Sequence, residues 1–341
     1  MLRFTPFALL VLVTACTFTG CGRSTAIEAN DAGGIASSLD AGPLVVSDAG
    51  PQADAGPQQP VDSGVPDAGV PDAGAHTTRE VTVLTINLWH DFPNFTDLDK
   101  RTQMVADFVL QRQPDFVAAQ EAGENGLIKN RCKVIAEKAG YQYRWVSEGG
   151  FPAVFAEGPC VLSRWPVMDD QFIDLPHPQQ SGLVVRKAQA LRVQWPGGPL
   201  TMISTHLSNG NDAENDRVDQ AVAVYQLARQ YAGPLPVFMG GDLNSSPTTP
   251  PMKFLRGEQT VNGVMSTMKD AWLQARPNDP GLTASAGAPD ERIDYLYMDP
   301  GTHSQTRVID CEVVLNQPTN GVYPSDHYGV LCRFEISTPA N

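Results

Sequence analysis

The 341-residue sequence predicts an α/β or α+β fold on a large sheet core, confined to residues 79–337. Three observations predict it. Short, near-continuously apolar runs read as strands buried on both faces. Stretches with apolar residues at helical spacing separate them. The two patterns alternate along the chain, as they do where helices cover a sheet.

The elements follow in order. Val81–Trp89 (VTVLTINLW) is the first buried strand. Over 97–111, Met104, Val105, Phe108 and Val109 keep helical spacing. Asp115–Gln120 (DFVAAQ) is a second buried strand. Leu127–Ala139 reads as a helix that Gly140 stops. Several strands are expected between Tyr141 and Leu207. Asn215–Tyr231 carries the clearest helical stripe: Val218, Ala221, Val222, Tyr225 and Ala228, widened by Val224. Leu235–Met239 is a strand leading into a Gly-Gly loop. Arg292–Met298, Arg307–Leu315 and Tyr328–Ile336 end the chain as strands.

Residues 1–78 have a different texture. Arg3, the apolar run Phe4–Ala15 and the small residues before Cys16 read as a secretory signal over 1–21. The run is too short to span a bilayer, which takes ~20 residues. Val13-Thr14-Ala15-Cys16 resembles a bacterial lipobox, with Phe18-Thr19-Gly20-Cys21 as a second candidate. An ordinary secreted protein cut nearby is the alternative. Lipidation would anchor the chain to the cell envelope, outer membrane or periplasm, without spanning a membrane. Residues 22–78 then form a spacer. Within 24–78 there is no aromatic residue, Lys or Arg, and Asp-Ala-Gly recurs six times between Asp31 and Asp72. Pro, Gly, Ala and Asp bury too little apolar area to offset the entropy of ordering. A calcium loop needs several oxygens converging within about twelve residues. Here single Asp residues stand 5 to 9 apart.

Lys and Arg number 24 against 38 Asp and Glu, a net charge of −14. Residues 1–23 carry +2, residues 24–78 carry −8 and the remainder −8. That balance argues against a protein that coats DNA or RNA by neutralising phosphates. It leaves room for an enzyme that recruits a cation. Cys132, Cys160, Cys311 and Cys332 lie in the folded part, and none has zinc-site spacing. An exported chain keeps disulfides. Cys311 and Cys332 fall on successive strands, which favours that bridge with 132–160 as its complement. Free buried thiols are the alternative.

Six short polar motifs interrupt or end the apolar strands. They are Asn87 in TINLW, Gln120-Glu121 after DFVAA, Thr205-His206-Leu207, Gly241-Asp242-Leu243-Asn244, Arg292-Ile293-Asp294-Tyr295 and Ser325-Asp326-His327. Singly each fits a turn or a satisfied structural hydrogen-bonder. In this order they resemble the endonuclease/exonuclease/phosphatase superfamily, the DNase I-like metal-dependent phosphoesterases. Gly158–Pro166 (GPCVLSRWP) looks like the family's strand before its Ser-Arg-x-Pro turn. Ala122 stands where the family often has a larger apolar residue, and Cys160 where small residues are usual. The resemblance covers about Val81 to Phe334. It implies an α/β four-layer sandwich, two packed mixed β-sheets flanked by helices. It also implies a monomeric, divalent-metal-dependent phosphoesterase, most specifically a phosphodiesterase acting on nucleic acid or phospholipid.

The chemistry fits these residue types. Phosphodiester hydrolysis needs a cation, a base for water and donors to the phosphoryl oxygens. Glu121 and Asp326 offer hard oxygens for Mg²⁺ or Mn²⁺, with Asn87 as a neutral ligand or its neighbour. Asp242 and Asn244, two apart, project the same way. Asp242 is then a proton acceptor or second-metal ligand, and Asn244 a donor to the transition state. His327 is the expected general base, its ring held by Asp294. His206 would donate to the scissile phosphate. Asp326 and His327 are adjacent, so both reach one site only if the last strand starts after them, at about Tyr328. Arg217, Gln220 and Arg164 are expected to brace the site or to lie on solvated faces. Trp145, Phe151 and Phe155, with 176–183, border the site or belong to the core. A non-catalytic surface-binding lipoprotein and a structural envelope lipoprotein are the competing functions.

Overall fold

A computed structural model describes residues 76–124, 129–151, 155–177 and 184–340, all within the compact unit Ala68–Asn341. The signal, Cys16, Cys21 and nearly all of the spacer lie outside the described residues. So do 178–183 and the side chain of Phe151. Among the described residues no helix is long and apolar enough to cross a membrane.

The first sheet takes β1 (His76–Asn87), β2 (Phe116–Gln120), β3 (Gln142–Trp145), β6 (Cys160–Ser163), β13 (Gln305–Val314) and β14 (Gly329–Pro339). Its order is β13-β14-β1-β2-β6-β3. The second takes β7 (Val167–Asp174), β8 (Lys187–Trp195), β9 (Gly198–His206), β10 (Val237–Asp242), β11 (Lys269–Asp270) and β12 (Asp294–Asp299). Its order is β11-β12-β10-β9-β8-β7. A small hairpin, β4 (Gly149–Phe151) with β5 (Phe155–Glu157), stands apart. Both sheets are mixed: β1 runs parallel to β2, and β9 to β10, among antiparallel neighbours.

Side-chain alternation sorts the layers. Val81 and Val83 of β1 point between the sheets with Phe116, Ala118, Leu200, Met202, Phe238 and Leu296. Leu84 and Ile86 point outward, under α1 (Leu98–Arg112) and α2 (Arg131–Ala139), with Val105, Val109 and Ile135. On the far face Ile203, Val237, Met239 and Tyr295 pack under α3 (Glu214–Gln230) and α4 (Pro250–Leu255), with Ala221, Val224 and Met252. The layers are helices, sheet, sheet, helices, as the resemblance implied. The short helices α4 and α5 (Ala271–Ala275) carry too few turns to show periodicity.

Four boundaries differ from the sequence reading. β1 begins at His76 and pairs with β14 as far as Pro339, so the sheet extends beyond 79–337 at both ends. α2 starts at Arg131 because Asn130 caps it, its Oδ1 accepting from Lys133 N–H at 3.1 Å. Gly240 and Gly241 continue β10 instead of forming a loop. A Cβ at Gly240 would meet Leu296, Thr85 and Ala118 at 2.9–3.1 Å, so glycine lets the sheets approach there. Both cysteine pairs are bonded. Cys132–Cys160 ties α2 to β6, and Cys311–Cys332 links facing positions of β13 and β14.

Candidate active site

The inward positions of the strands turn polar at one end of the two sheets. Val81, Val83 and Thr85 lead to Asn87; Leu200, Met202 and Ser204 to His206; Phe238 and Gly240 to Asp242. Antiparallel β12 starts at that end with Asp294, paired to Asp242. β14 begins at Gly329, just past Asp326 and His327, as their shared site requires. The alternation that packs the core thus aims the polar residues at one another.

Asn87 is buried and central. Its Nδ2 donates to Glu121 Oε1 and to Asp242 Oδ2, each at 3.0 Å. Asn87 Oδ1 accepts from Trp89 N–H, and its backbone oxygen accepts from Ser325 Oγ at 2.6 Å. Arg131 pins the following turn by donating to the carbonyls of Leu88 and Trp89. His327 Nδ1 and Asp294 Oδ2 are 2.8 Å apart, and His327 Nε2 stands 3.8 Å from Asp242 Oδ2. Asn244 Nδ2 lies 3.0 Å from His206 Nε2, and Asp242 Oδ2 lies 3.4 Å from that same nitrogen. All eight expected residues gather at this edge.

Burial without enough positive charge sets the electrostatics. It raises the pKa of Asp242 to about 7, with His327 opposing and Asp294 adding to the rise. It raises Asp326 to about 6, again against His327 and with Glu121 adding. Burial disfavours a charged His327, but Asp294 and then Asp242 outweigh it and hold that pKa at about 11. His206 is pushed the other way, well below the ordinary range, by burial first and by Arg186 second. Asp294 Oδ1 is buried with no hydrogen-bond partner. Half-buried carboxylates short of cations fit a hard divalent ion held by Glu121 and Asp326. Asn87 turns its Nδ2 to Glu121 and its Oδ1 to Trp89 N–H, so it would stand beside the ion as a neighbour of its ligands.

Two groups of three side chains cluster closely enough for a metal: His90, Glu121 and Glu157, and Asp242, Asp294 and His327. Hydrogen bonds give both a different reading. His90 Nδ1 accepts from Phe92 N–H at 2.9 Å, so a neutral ring carries its hydrogen on Nε2, 2.8 Å from Glu157. In the second group His327 Nδ1 is already taken up by Asp294 Oδ2.

The bracing residues divide. Arg217 donates to Ser208 O and Gly210 O, and Gln220 to Pro176 O and Ser208 Oγ, so both hold the loop after His206. Arg164 does not brace the site. It pairs with Asp115 at the opposite end of β2 and β6, because β6 runs antiparallel and carries it away. Trp145 packs against the outer core and donates to Ala122 O. Phe155 is buried beneath Phe92 and Phe95 at the rim, beside His90. Sequence reasoning missed His90, Glu148, Glu157 and Arg186, which belong to no motif. A cavity of about 300 Å³ adjoins Asp326, lined by Trp89, Arg101 and Tyr323. A larger one, about 610 Å³, lies at the start of β9 near Arg79 and Pro236, away from this chemistry.

Comparison with known proteins agrees. The model of the Endonuclease/Exonuclease/phosphatase family matches residues 84–327. Tyrosyl-DNA phosphodiesterase 2 from Gallus gallus is 24% identical over 258 residues, covering 70% of this chain and 63% of the relative. Nocturnin from Drosophila melanogaster is 21% identical, covering 71% and 42%. This chain therefore spans less than two thirds of those two curated relatives. Phospholipase C from Staphylococcus aureus is 22% identical, covering 73% and 81%. A crystal structure of humanized D. rerio TDP2 superposes with a TM-score of 0.61 at 19% identity, covering 75% of this chain and 98% of that one. An endonuclease/exonuclease/phosphatase structure from Beutenbergia cavernae gives 0.57 at 22% identity, covering 75% and 71%.

Proposed function

The chain belongs to the Endonuclease/Exonuclease/phosphatase family of phosphoric ester hydrolases, and we propose that it is a divalent-metal-dependent phosphodiesterase. The observation that carries this is the division of the site edge. Acceptor groups, Glu121 and Asp326, stand on one side, with Asn87 Nδ2 bridging Glu121 to Asp242. Donor groups, His206 and Asn244, stand on the other, and the Asp242–His327–Asp294 set lies between. Mg²⁺ or Mn²⁺ would supply charge neutralisation for the phosphate. Asp294 orients the His327 ring and holds it charged at neutral pH. The proton of the attacking water therefore goes to Asp242, raised to about 7, and not to His327 as the sequence suggested. His206 and Asn244 donate to the phosphoryl oxygens.

Relatives named tyrosyl-DNA phosphodiesterase and phospholipase C support testing both substrate classes. The panel is single- and double-stranded DNA, RNA, sphingomyelin, inositol phosphates and bis-p-nitrophenyl phosphate, with Mg²⁺ and then with chelator. Chelator-sensitive hydrolysis that His327→Ala abolishes is expected. Absence of hydrolysis across the whole panel would overturn the enzyme reading.

The proposal includes export and lipid anchoring. Arg3, Phe4–Ala15 and the cysteines Cys16 and Cys21 support it, and two disulfides suit an oxidising compartment. Labelled palmitate should enter the chain in a bacterial host and be lost in Cys16→Ser or Cys21→Ser. No incorporation in the parent chain would leave a secreted protein.

A further inference from the structure

Four side chains from separate stretches meet behind the donor side of the site. Arg186, just before β8, is buried, and its NH1 donates to Glu148 Oε2 at 2.7 Å. The same nitrogen lies 3.1 Å from His206 Nδ1. Glu148, also buried, accepts from Lys187 N–H at 3.0 Å, so the carboxylate is itself fixed. Glu148 N–H donates to Glu157 O across the β4–β5 hairpin, and Glu157 Oε1 stands 3.8 Å from Arg186. On the other side of the His206 ring, Asn244 Nδ2 lies 3.0 Å from Nε2 and donates to Leu207 O.

This arrangement holds one donor too many. A guanidinium and an amide nitrogen only donate, and a neutral imidazole has a single lone pair. Arg186 cannot turn aside, because Glu148 clamps it from within the protein. Its N–H therefore takes the lone pair at Nδ1, and the ring hydrogen sits on Nε2. Nε2–H then faces the same space as the Asn244 amide hydrogen. The nearest carboxylate oxygen, Asp242 Oδ2, is 3.4 Å from Nε2 and already accepts from Asn87.

We propose that Arg186, held by Glu148, is a positioning residue that fixes His206 as the Nε2–H tautomer, so that His206 and Asn244 form a two-donor seat for one phosphoryl oxygen. The seat rests on the phosphodiesterase reading; the tautomer does not. An arginine at this place makes His206 a donor that keeps its hydrogen, whereas a carboxylate partner would make it a proton carrier. Two donors aimed at one oxygen also favour the transition state, where charge on that oxygen grows.

The test is the ring itself. In the full chain labelled with ¹⁵N-histidine, long-range ¹H–¹⁵N correlation reports which nitrogen of each of the six histidines is protonated. The signal lost in His206→Gln assigns it. The expected result is a protonated Nε2 and a bare Nδ1. Arg186→Met should shift the hydrogen to Nδ1, toward the freed space, and lower kcat ~100-fold with KM little changed. Arg186→Lys, which still donates, should restore the Nε2–H signature and most of kcat. A protonated Nδ1 at His206 in the parent protein overturns the proposal whether or not the Arg186 variants fold. So does an Arg186→Met protein that keeps the Nε2–H tautomer and full kcat. If no phosphoester is hydrolysed at all, the enzyme reading fails, and the tautomer still decides the clamp.

Discussion

Asp294 does its work through one bond, to His327 Nδ1 at 2.8 Å. Replacing its carboxylate by an amide keeps the shape and removes the acceptor that fixes the ring. Asp294→Asn should therefore lower kcat by roughly 10²–10⁴-fold while leaving the fold intact by circular dichroism. Unchanged kcat would remove Asp294 from the mechanism. The same residues set a pH dependence of stability. Asp242 at about 7, Asp326 at about 6 and Glu148 at about 7 are all raised by burial above ordinary carboxylates. A raised carboxylate costs the folded state most above its folded pKa, and the cost fades as pH falls. His327, raised to about 11, stabilises fully below its unfolded value and loses this as pH rises toward 11. The four agree in sign. His206, lowered, opposes them only below its unfolded pKa of ~6.5. In chelator the melting temperature should thus be higher at about pH 6.5 than at about pH 8.5. The reverse order in differential scanning fluorimetry would contradict the charge arrangement. Asp242, Asp294, Asp326 and His327 were legible because each lies in a short polar motif that interrupts or ends an apolar run. Arg186 and Glu148 were not: their bond spans 38 positions and crosses from a hairpin to a strand.

At the scale of the element, the site depends on how closely strands approach. A Cβ at Gly241 would stand 2.2 Å from the carbonyl oxygen of Thr205 on the neighbouring parallel strand. At Gly240 the obstacles are side chains, Leu296 of the paired strand and Thr85 and Ala118 of the facing sheet. Backbone cannot yield as side chains can. Gly240→Ala should cost about 1–3 kcal/mol by overpacking. Gly241→Ala should cost more, and it should also lower kcat, because it displaces Asp242 next to it. Urea unfolding and steady-state kinetics on both variants check the order; equal effects would mean the strand shifts freely. The apolar pattern alone suggested a loop at Gly-Gly, since glycine more often marks turns. Only the presence of a second sheet explains why it lies within a strand. The helices were legible as periodic stripes, except where Asn130 capped α2 late and where α4 and α5 were too short to repeat.

At the scale of the molecule, the negative charge is divided between a spacer and a domain that gathers carboxylates at one edge. Glu121, Asp242, Asp294 and Asp326 converge there against His327, and Arg186, beside His206, is engaged by Glu148. The folded domain thus carries an electrostatic strain that a bound divalent ion would relieve, and the unfolded chain has no such convergence to offer it. Binding to the folded state alone stabilises by about 2.7 kcal/mol at a hundredfold excess over Kd. In a domain of this size each kcal/mol is worth about 2–4 °C, so Mg²⁺ or Mn²⁺ at that excess should raise the melting temperature by roughly 5–10 °C. Glu121→Gln removes an anionic ligand while Asn87 keeps an oxygen to donate to, so the variant should fold and lose most of the rise. Cys311→Ser with Cys332→Ser sits outside this cluster and should lower the baseline by roughly 3 kcal/mol while leaving the cation increment unchanged. A cation shift equal in the parent and Glu121→Gln proteins would place the ion elsewhere. No shift in the parent would mean that hydrogen bonds from Asn87 and His327 already satisfy these carboxylates, and the case for a resident cation would fall with it.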